Sequence, residues 1–403
     1  MINERNVLSW QMKGRALVKD EKYAEAAQCY YKLGYKVLDA FLYLSGSDIE
    51  KSIEERKRFA PYLKILLQND DFFQSIAKQI EDDIEPYKNI YIRSMRIISL
   101  LYVNFVNEEF VATYTSEVAV ENMLKSLWLS LITKSNDPKE GQSLLDYFFK
   151  GKDIPKEQRE SIEKDYGMFA TSFTFNIDHL NQFRLYGKSS KGIETGGVSL
   201  VVDSLFFQTS EPKVAVSSIS EENKKEKGLA FKSHKDIHNN DNDSKLSLFR
   251  CIYIDPISGF VASLGQREEY TFQSQEDRSS YKKYMECVLN EVGEQLHELK
   301  NEVRGLKPEI VSQLLLSLRY LTKDVSFKEE QECRIFKVKH KDDKEVFEAL
   351  KNRRTNYLGM KDYLKKIILG TKCDKEFENN YINLGIENIE KSRWLYKVQN
   401  NKG

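Results

Sequence analysis

Apolar residues in the first hundred positions follow the period of an α-helix. Tyr23, Ala26 and Tyr30 recur three and four positions apart, the spacing of one helix face. The small residues around them are typical of a tetratricopeptide-like hairpin. A plain helical bundle fits the same pattern, because a stable repeat array needs about three units. Helical spacing continues to about Asn104 in three further segments, at 49–67, 71–84 and 87–103. The sequence therefore predicts an all-helical segment over residues 1–107.

From residue 108 onward, short β-branched and apolar runs alternate with helical patterns. Strands dispersed among helices favour an α+β fold, with a mixed β-sheet and flanking helices over 108–403, rather than a doubly wound α/β fold. The predicted strands are 111–115, 127–133, 171–175, 197–203, 249–255, 332–338, 365–370 and 393–398. The predicted helices of this region are 139–150, 156–164, 277–303, 308–320, 343–353 and 375–388.

Residues 217–245 have a different composition from the rest of the chain. They are polar, balanced in charge and almost without aromatic residues, so they bury too little apolar area to offset the entropy of ordering. We predict a long flexible insertion here. His234 and His238 are four apart, a spacing that can hold a metal on a helix, but in a polar loop a solvated pair is favoured and no metal is expected.

Charge and cysteine content exclude several classes of protein. Lys and Arg number 62, as do Asp and Glu, so the chain lacks the positive excess of a protein that binds nucleic acid through its overall field. The five cysteines are scattered and form no CxxC pair, which argues against a disulfide framework or a zinc ribbon. The most apolar run, 97–106, is too short to span a bilayer. We expect a cytoplasmic protein without membrane contact.

Four phrases between about Tyr114 and Lys397 resemble the bacterial family called domain of unknown function 2971. They are ATYTSEVAVENMLKSLWLSLITKSNDPKE, TSFTFNIDHLNQFRLYGKSSKGIETGGVSLVVD, SFKEEQECRIFKV, and KKIILGTKCD followed by IEKSRWLYK. Their order and spacing carry the resemblance more specifically than any single phrase. The chain departs from the family at Phe183 and Cys333, where tryptophan is common. The N-terminal helices lie outside the resemblance.

Charged residues alternate in the third phrase, at Glu330, Glu332 and Arg334. Alternate residues of a strand share a face, so these three side chains are expected to point the same way. Two carboxylates and a guanidinium on one face commonly form a salt-bridge ladder. They can also form a functional site, because buried charges need partners or a purpose. Both interpretations stay open from the sequence.

The glutamate-x-glutamate pattern also resembles the last motif of ADP-ribosyltransferases, which cleave NAD between nicotinamide and ribose. The resemblance implies that Glu332 stabilises an oxocarbenium-like state, as glycosidase carboxylates do, and that Glu330 orients the acceptor. It also implies that Tyr114 stacks on nicotinamide. The other residues implied to bind the cofactor are Ser172, Arg184, Tyr186 and Arg334. Thr113 departs from the motif, because a His or Arg is expected on this early strand.

Two functions fit these residues. The first is an NAD-dependent transferase of the ADP-ribosyltransferase or glycohydrolase type, in which NAD is the substrate. The second is a non-catalytic module that binds a ligand or protein, with the N-terminal helices docking a partner. A role in bacterial stress or phage defence suits either. The feature that separates them is whether Glu330, Glu332, Arg334, Arg184 and Tyr186 converge in one cleft.

Overall fold

The computed structural model describes residues 70–103, 105, 108–132, 140–149, 166–207, 215–217, 245–268, 274–340 and 351–393. The predicted tetratricopeptide-like hairpin lies outside them, as do the helices predicted at 49–67 and 156–164. The insertion predicted at 217–245 lies outside except for its two end residues. Most of the helix predicted at 343–353 and of the strand predicted at 393–398 is also outside.

Several of the described helices begin where the sequence supplies a cap or a proline. Asp70 accepts a hydrogen bond from Phe73 N (3.0 Å) at the start of the first helix, and Ser274 accepts one from Asp277 N (3.0 Å) at the start of the longest. Pro86 and Pro308 occupy first turns, where a missing N–H costs no hydrogen bond. The helices are α1 (Asp71–Ala77), α2 (Glu85–Leu100), α3 (Val120–Lys125), α4 (Ser143–Phe149), α5 (Leu180–Leu185), α6 (Gln275–Glu302), α7 (Pro308–Leu314), α8 (Leu316–Tyr320) and α9 (Lys375–Asn383).

Eight of the described strands overlap the runs predicted as strands, whereas five short ones, at 215–217, 261–264, 322–324, 354–356 and 389–391, were not predicted. The strands are β1 (Phe110–Thr115), β2 (Trp128–Leu131), β3 (Tyr166–Thr174), β4 (Val198–Asp203), β5 (Ala215–Ser217), β6 (Phe249–Arg250), β7 (Ile252–Ile254), β8 (Val261–Leu264), β9 (Thr322–Asp324), β10 (Glu332–His340), β11 (Arg354–Asn356), β12 (Leu364–Leu369) and β13 (Ile389–Lys391). Together with the helices they confirm the predicted α+β class.

Within the described residues, ten strands form one mixed sheet. Its main path runs β11–β2–β3–β1–β4–β12–β13, and β10 pairs with β3 along its whole length. One edge of β3 pairs first with β2, near Ala170, and then with β1, at Thr174. Most pairs are antiparallel, whereas β12 with β13 and β10 with β5 are parallel. A second sheet, β8–β7–β9, lies beside β10.

The large sheet separates two apolar cores. On one face, Met168 of β3 and Phe336 of β10 pack in a core with α1, α2, α6, α7 and α8. On the other face, Phe169 and Ile335 belong to a second core, which α3 and α9 help to cover. A small third cluster forms where Phe183 of α5 packs over Ala112 on β1. Because α1 and α2 share the first core, described residues 70–103 pack together with the α+β region. The boundary at 107/108 stays a prediction.

Several predicted elements differ from the observed ones: the helix expected at 375–388 ends at Asn383, and the strand expected at 171–175 begins at Tyr166. The helix expected at 71–84 ends at Ala77, and the helix expected at 308–320 divides at Leu315 into α7 and α8. The strand expected at 249–255 divides at Cys251. Cys251 N still bonds to Glu332 O (3.0 Å), but the next amide, Ile252 N, bonds to Leu321 O (2.7 Å). The chain therefore passes from the large sheet to the small one at this residue.

Candidate functional site

Three of the predicted charged residues, Glu330, Glu332 and Arg334, meet in one chain of ion pairs, which we call the charge ladder. It consists of Tyr186, Glu330, Lys323, Glu332, Arg334 and Glu140. Lys323 Nζ contacts carboxylate oxygens of both Glu330 and Glu332, the latter at 2.6 Å. Arg334 Nε donates to Glu332 Oε1 (2.6 Å), and Arg334 Nη1 donates to Glu140 Oε1 (2.6 Å). Carboxylates and cations thus alternate from Glu330, which accepts from Tyr186, to Glu140, which precedes α4.

The carboxylate of Glu332 lies at the centre of the ladder, and each of its two oxygens is paired with a cation. Its Oε2 accepts from Lys323 and its Oε1 from Arg334, and the residue is 5% exposed. The backbone is fixed as well, because Glu332 N donates to Tyr253 Oη (2.7 Å). A Cβ added to Gly265 would lie 2.0 Å from Glu332 O, so only glycine allows this approach. The small sheet therefore closes over the start of β10.

Glu330 does not lie on the strand, contrary to the sequence prediction. It ends a 3₁₀-helix (Val325–Glu330), and Gln331 between the two glutamates has a left-handed backbone, with φ of 46°. The Gln331 side chain compensates this unusual backbone. Its Nε2 donates to Lys328 O (2.8 Å) and its Oε1 accepts from Gln266 N (2.9 Å). The two glutamates come together through Lys323 rather than through a shared strand face.

Glu332 and Lys323 stay charged although the first is buried and the second nearly so. Burial opposes ionisation of Glu332, but Arg334 and Lys323 outweigh burial and hold the pKa of its carboxyl below the usual value. Burial also opposes the charge on Lys323, yet Glu332 and Glu330 raise the pKa of Lys323 above its usual value. Burial raises the pKa of the Tyr186 phenol, and Glu330 raises it further, so the neutral hydroxyl donates to Glu330.

Beside the ladder, part of the sheet is uncovered. Ser172 on β3 is exposed and lies directly opposite Arg334 on β10. On β2, Trp128 and Ser130 are exposed, whereas Leu129 and Leu131 are buried. Ser130 pairs with Ala170, two residues before Ser172, so these side chains share one face. We call Trp128, Ser130 and Ser172 the open face.

The two remaining predicted residues lie apart from the ladder. Tyr114 Oη donates to Asn176 O (2.7 Å) and accepts from His179 N (3.0 Å), and its ring packs edge-on against Phe183. These contacts make Tyr114 a packing residue under α5. Arg184 lies on the outer side of α5, where it pairs with Glu194 at 3.3 Å, and both side chains are more than half exposed. No described contact joins Arg184 to Glu332.

Sequence reasoning missed three residues of the ladder region. Lys323 is isolated in the sequence, and nothing in its spacing indicated that it would link two glutamates nine residues or fewer away. Tyr253 and Gly265 come from the small sheet, whose separate existence was not predicted. A signal did exist for Glu140, because it ends the Asn-Asp-Pro-x-Glu turn of the first family-like phrase. The fold brings Glu140 to Arg334, 194 residues later.

A second buried ion pair lies on the opposite face of β10. Arg250 is opposite Cys333 and donates to Glu108 Oε1 (2.5 Å) and to Gly265 O (2.8 Å). Tyr281 also donates to Glu108 Oε1 (2.5 Å). Arg250 and Glu108 are at most 1% exposed. This pair joins β6 and α6 to residue 108, where the helical pattern of the sequence ends.

Comparisons with protein-family models, with curated proteins and with solved structures give no match to this chain. The resemblance to the domain of unknown function 2971 family therefore stays a prediction. In the described part of the chain, no helix combines the length and the apolar character needed to cross a bilayer.

Proposed function

We propose that the chain is a non-catalytic binding module whose ligand site is the open face next to the charge ladder. The carrying observation is that Glu332 is buried and that a cation is paired with each of its carboxylate oxygens. A carboxylate that stabilises a ribosyl cation must present an oxygen to the substrate, whereas both oxygens of Glu332 are held by Arg334 and Lys323. In this proposal the charge ladder forms one rigid edge of the ligand site.

The open face offers the groups that a binding site needs. Trp128 is 38% exposed and supplies an aromatic surface, and Ser130 and Ser172 supply hydroxyls beside it. Arg354 stacks on one face of the Trp128 ring, 3.5 Å from its centroid, and so fixes the orientation of the indole. A rigid aromatic side chain among polar groups is the usual centre of a binding surface.

One observation favours NAD-dependent ADP-ribosyl transfer as a second candidate. Five of the seven residues predicted for that chemistry lie in one region: Ser172, Tyr186, Glu330, Glu332 and Arg334. In this alternative NAD would lie on the open face, and its ribose would have to displace Lys323 or Arg334 from Glu332. Breaking such a buried pair is costly, which is why the binding module is preferred.

Two measurements separate the candidates. NAD consumption by wild type and by Glu332→Gln is followed by chromatography, with the exposed neighbour variant Glu329→Gln as control. We expect no turnover in any of the three. Turnover in the wild type that falls on the order of a hundredfold in Glu332→Gln alone would establish the enzyme instead.

The binding module is tested directly by a fragment library screened with saturation-transfer NMR. Wild type is compared with Trp128→Ala, and Trp128 lies at the surface, so the variant should fold. We expect bound fragments to be lost in the variant. The same fragments bound equally by both proteins would mean that the ligand site is not the open face.

A further inference from the structure

Among the described residues, one donor of the charge ladder has no hydrogen-bond partner. Arg334 uses Nε for Glu332 and Nη1 for Glu140 and Tyr320 O (2.6 Å each). Its third nitrogen, Nη2, donates to no described residue. The buried donors and acceptors without partners include Nε of Arg250 but not Nη2 of Arg334, so Nη2 is not sealed from solvent. Arg334 as a whole is nonetheless 4% exposed, which means that its guanidinium is held firmly in one position.

Ser172 is the cross-strand neighbour of Arg334, the residue that carries this donor. Ser172 is exposed and directly opposite Arg334 in the strand pair, and no hydrogen bond of its hydroxyl to a described residue is present. A serine hydroxyl can both donate and accept, whereas Nη2 only donates. Together they match a ligand hydroxyl, which accepts from one group and donates to the other.

The carboxylates around Arg334 disfavour an anionic ligand beside Nη2 and Ser172. The ladder contains three carboxylates, Glu140, Glu330 and Glu332, and two cations, Lys323 and Arg334. Both carboxylates bonded to Arg334 would repel an incoming anion across a short, poorly solvated distance. A neutral acceptor meets no such penalty and satisfies the free N–H groups of Nη2.

Arg354, at the opposite edge of the open face, does not make an anionic ligand favourable. Arg354 on β11 is exposed to water, so screening weakens its attraction for an anion. Its guanidinium covers one side of the Trp128 ring. Trp128 is 38% exposed, and its indole provides apolar surface on the same sheet face as the exposed Ser130 and Ser172. A ring with apolar C–H groups on its faces and hydroxyls at its edge is complementary to such a surface.

We infer that the open face takes a neutral, hydroxyl-bearing sugar ring, which packs on Trp128 and whose hydroxyls bond to Arg334 Nη2 and Ser172. This inference rests on the proposed binding function and names the class of its ligand. The same chemistry is offered by a free oligosaccharide and by the ribose of a nucleoside. A phosphorylated or acidic sugar is disfavoured by the carboxylates of the ladder.

The test is a set of titrations of the full chain by saturation-transfer NMR and calorimetry. The neutral probes are maltotriose, cellotriose, tri-N-acetylchitotriose and adenosine. The anionic probes are inorganic phosphate, glucose 6-phosphate and trigalacturonate. We expect at least one neutral probe to bind, and the glycans and adenosine to distinguish the two sources of the ring. Binding should weaken on the order of tenfold in Ser172→Ala, which removes one hydrogen bond to a fixed partner.

Arg334→Lys supplies a second variant, since lysine retains the charge but lacks Nη2. Because this change touches the ladder, its melting temperature is measured alongside, and Ser172→Ala carries the conclusion if the protein unfolds. Preferential binding of an anionic probe would overturn the inference and leave the binding module standing. Failure of every neutral probe, while fragments bind the open face, would have the same meaning. Failure of the fragments as well would remove both proposals.

Discussion

At the scale of single residues, the main feature of this protein is a buried carboxylate between two cations. Placing Glu332 out of water is costly, and the ion pairs to Arg334 and Lys323 offset that cost only while both are present. Removing one member is therefore expected to destabilise the fold by more than the intact ion pairs stabilise it. Two predictions about stability follow from this asymmetry.

Replacing Glu332 by Gln should destabilise the fold. The amide keeps the volume but leaves Arg334 and Lys323 facing each other in the interior without the intervening charge. We expect a loss of about 3 kcal/mol in the free energy of unfolding, typical for breaking a buried pair, measured by urea denaturation. Glu329→Gln is the control, because Glu329 is exposed and, among the described residues, its side chain accepts a hydrogen bond from Asn181 alone (3.2 Å). Equal midpoints for both variants would mean that the ladder does not support the fold.

The contribution of Glu332 should depend on pH in a defined direction. Its pKa is lower in the folded protein than its usual value of 4.5, so the unfolded chain binds more protons as the pH falls and stability decreases. The difference in unfolding free energy between wild type and Glu332→Gln should be constant above about pH 5.5 and shrink below pH 4.5. A difference that grows on acidification would contradict the assigned direction of the pKa shift.

At the scale of elements, α2 and α6 are joined by ion pairs of unequal burial. Arg93 binds Glu302 through two nitrogens, at 2.6 and 2.9 Å, and these groups are partly exposed. Arg96 pairs with Glu291, whose side chain is 6% exposed. Burial lowers the pKa of Arg96 more than Glu291 restores it, so this pair is held against a desolvation cost. Loss of one member of the inner pair should therefore destabilise the protein more than loss of one member of the outer pair.

Substitution of Arg96 by Met should destabilise the α2–α6 contact by about 2–3 kcal/mol, because Glu291 is left buried without a cation. The double variant Arg96→Met with Glu291→Met should recover most of that loss, since two apolar groups replace a buried pair. Thermal unfolding of the two single variants and the double variant gives the coupling. Purely additive losses would show that the pair is not coupled in the folded protein.

At the scale of the whole molecule, the described N-terminal helices complete a core. Ile90, Ile97 and Ile98 of α2 are fully buried and pack in the cluster that also contains Leu296 of α6 and Met168 of β3. Removal of α2 would expose this apolar surface to water, at roughly 25 cal/mol per Å². The sheet and the helices are therefore expected to depend on one another for stability.

A chain that begins at Asn107 should retain β structure but aggregate or melt at a lower temperature than the full chain. Light scattering and a calorimetric scan at matched concentration measure these properties, and binding of a hydrophobic dye reports the exposed surface. A truncated chain as soluble and as heat-stable as the full one would exclude a covering role for α2.

The sequence by itself determined the α+β class, the positions of most strands and the grouping of Glu330, Glu332 and Arg334. These follow from local pattern: β-branched runs form strands, and charges two apart on a strand share a face. Strand β10 begins at Glu332, which is also the first residue of the strand predicted at 332–338. The salt-bridge ladder that was one interpretation of those charges is present, although Glu330 reaches it from a 3₁₀-helix and not from the strand.

Only the tertiary structure decided which partners complete the site. Glu140 reaches Arg334 across 194 residues, and Tyr253 and Gly265 reach Glu332 because the chain changes sheets at Cys251. Such contacts depend on how strands are ordered in space, which local periodicity does not encode. The separation of Arg184 from the ladder has the same origin. Helix α5 turns that side chain outward to Glu194, whereas Tyr186, two residues later, reaches inward to Glu330.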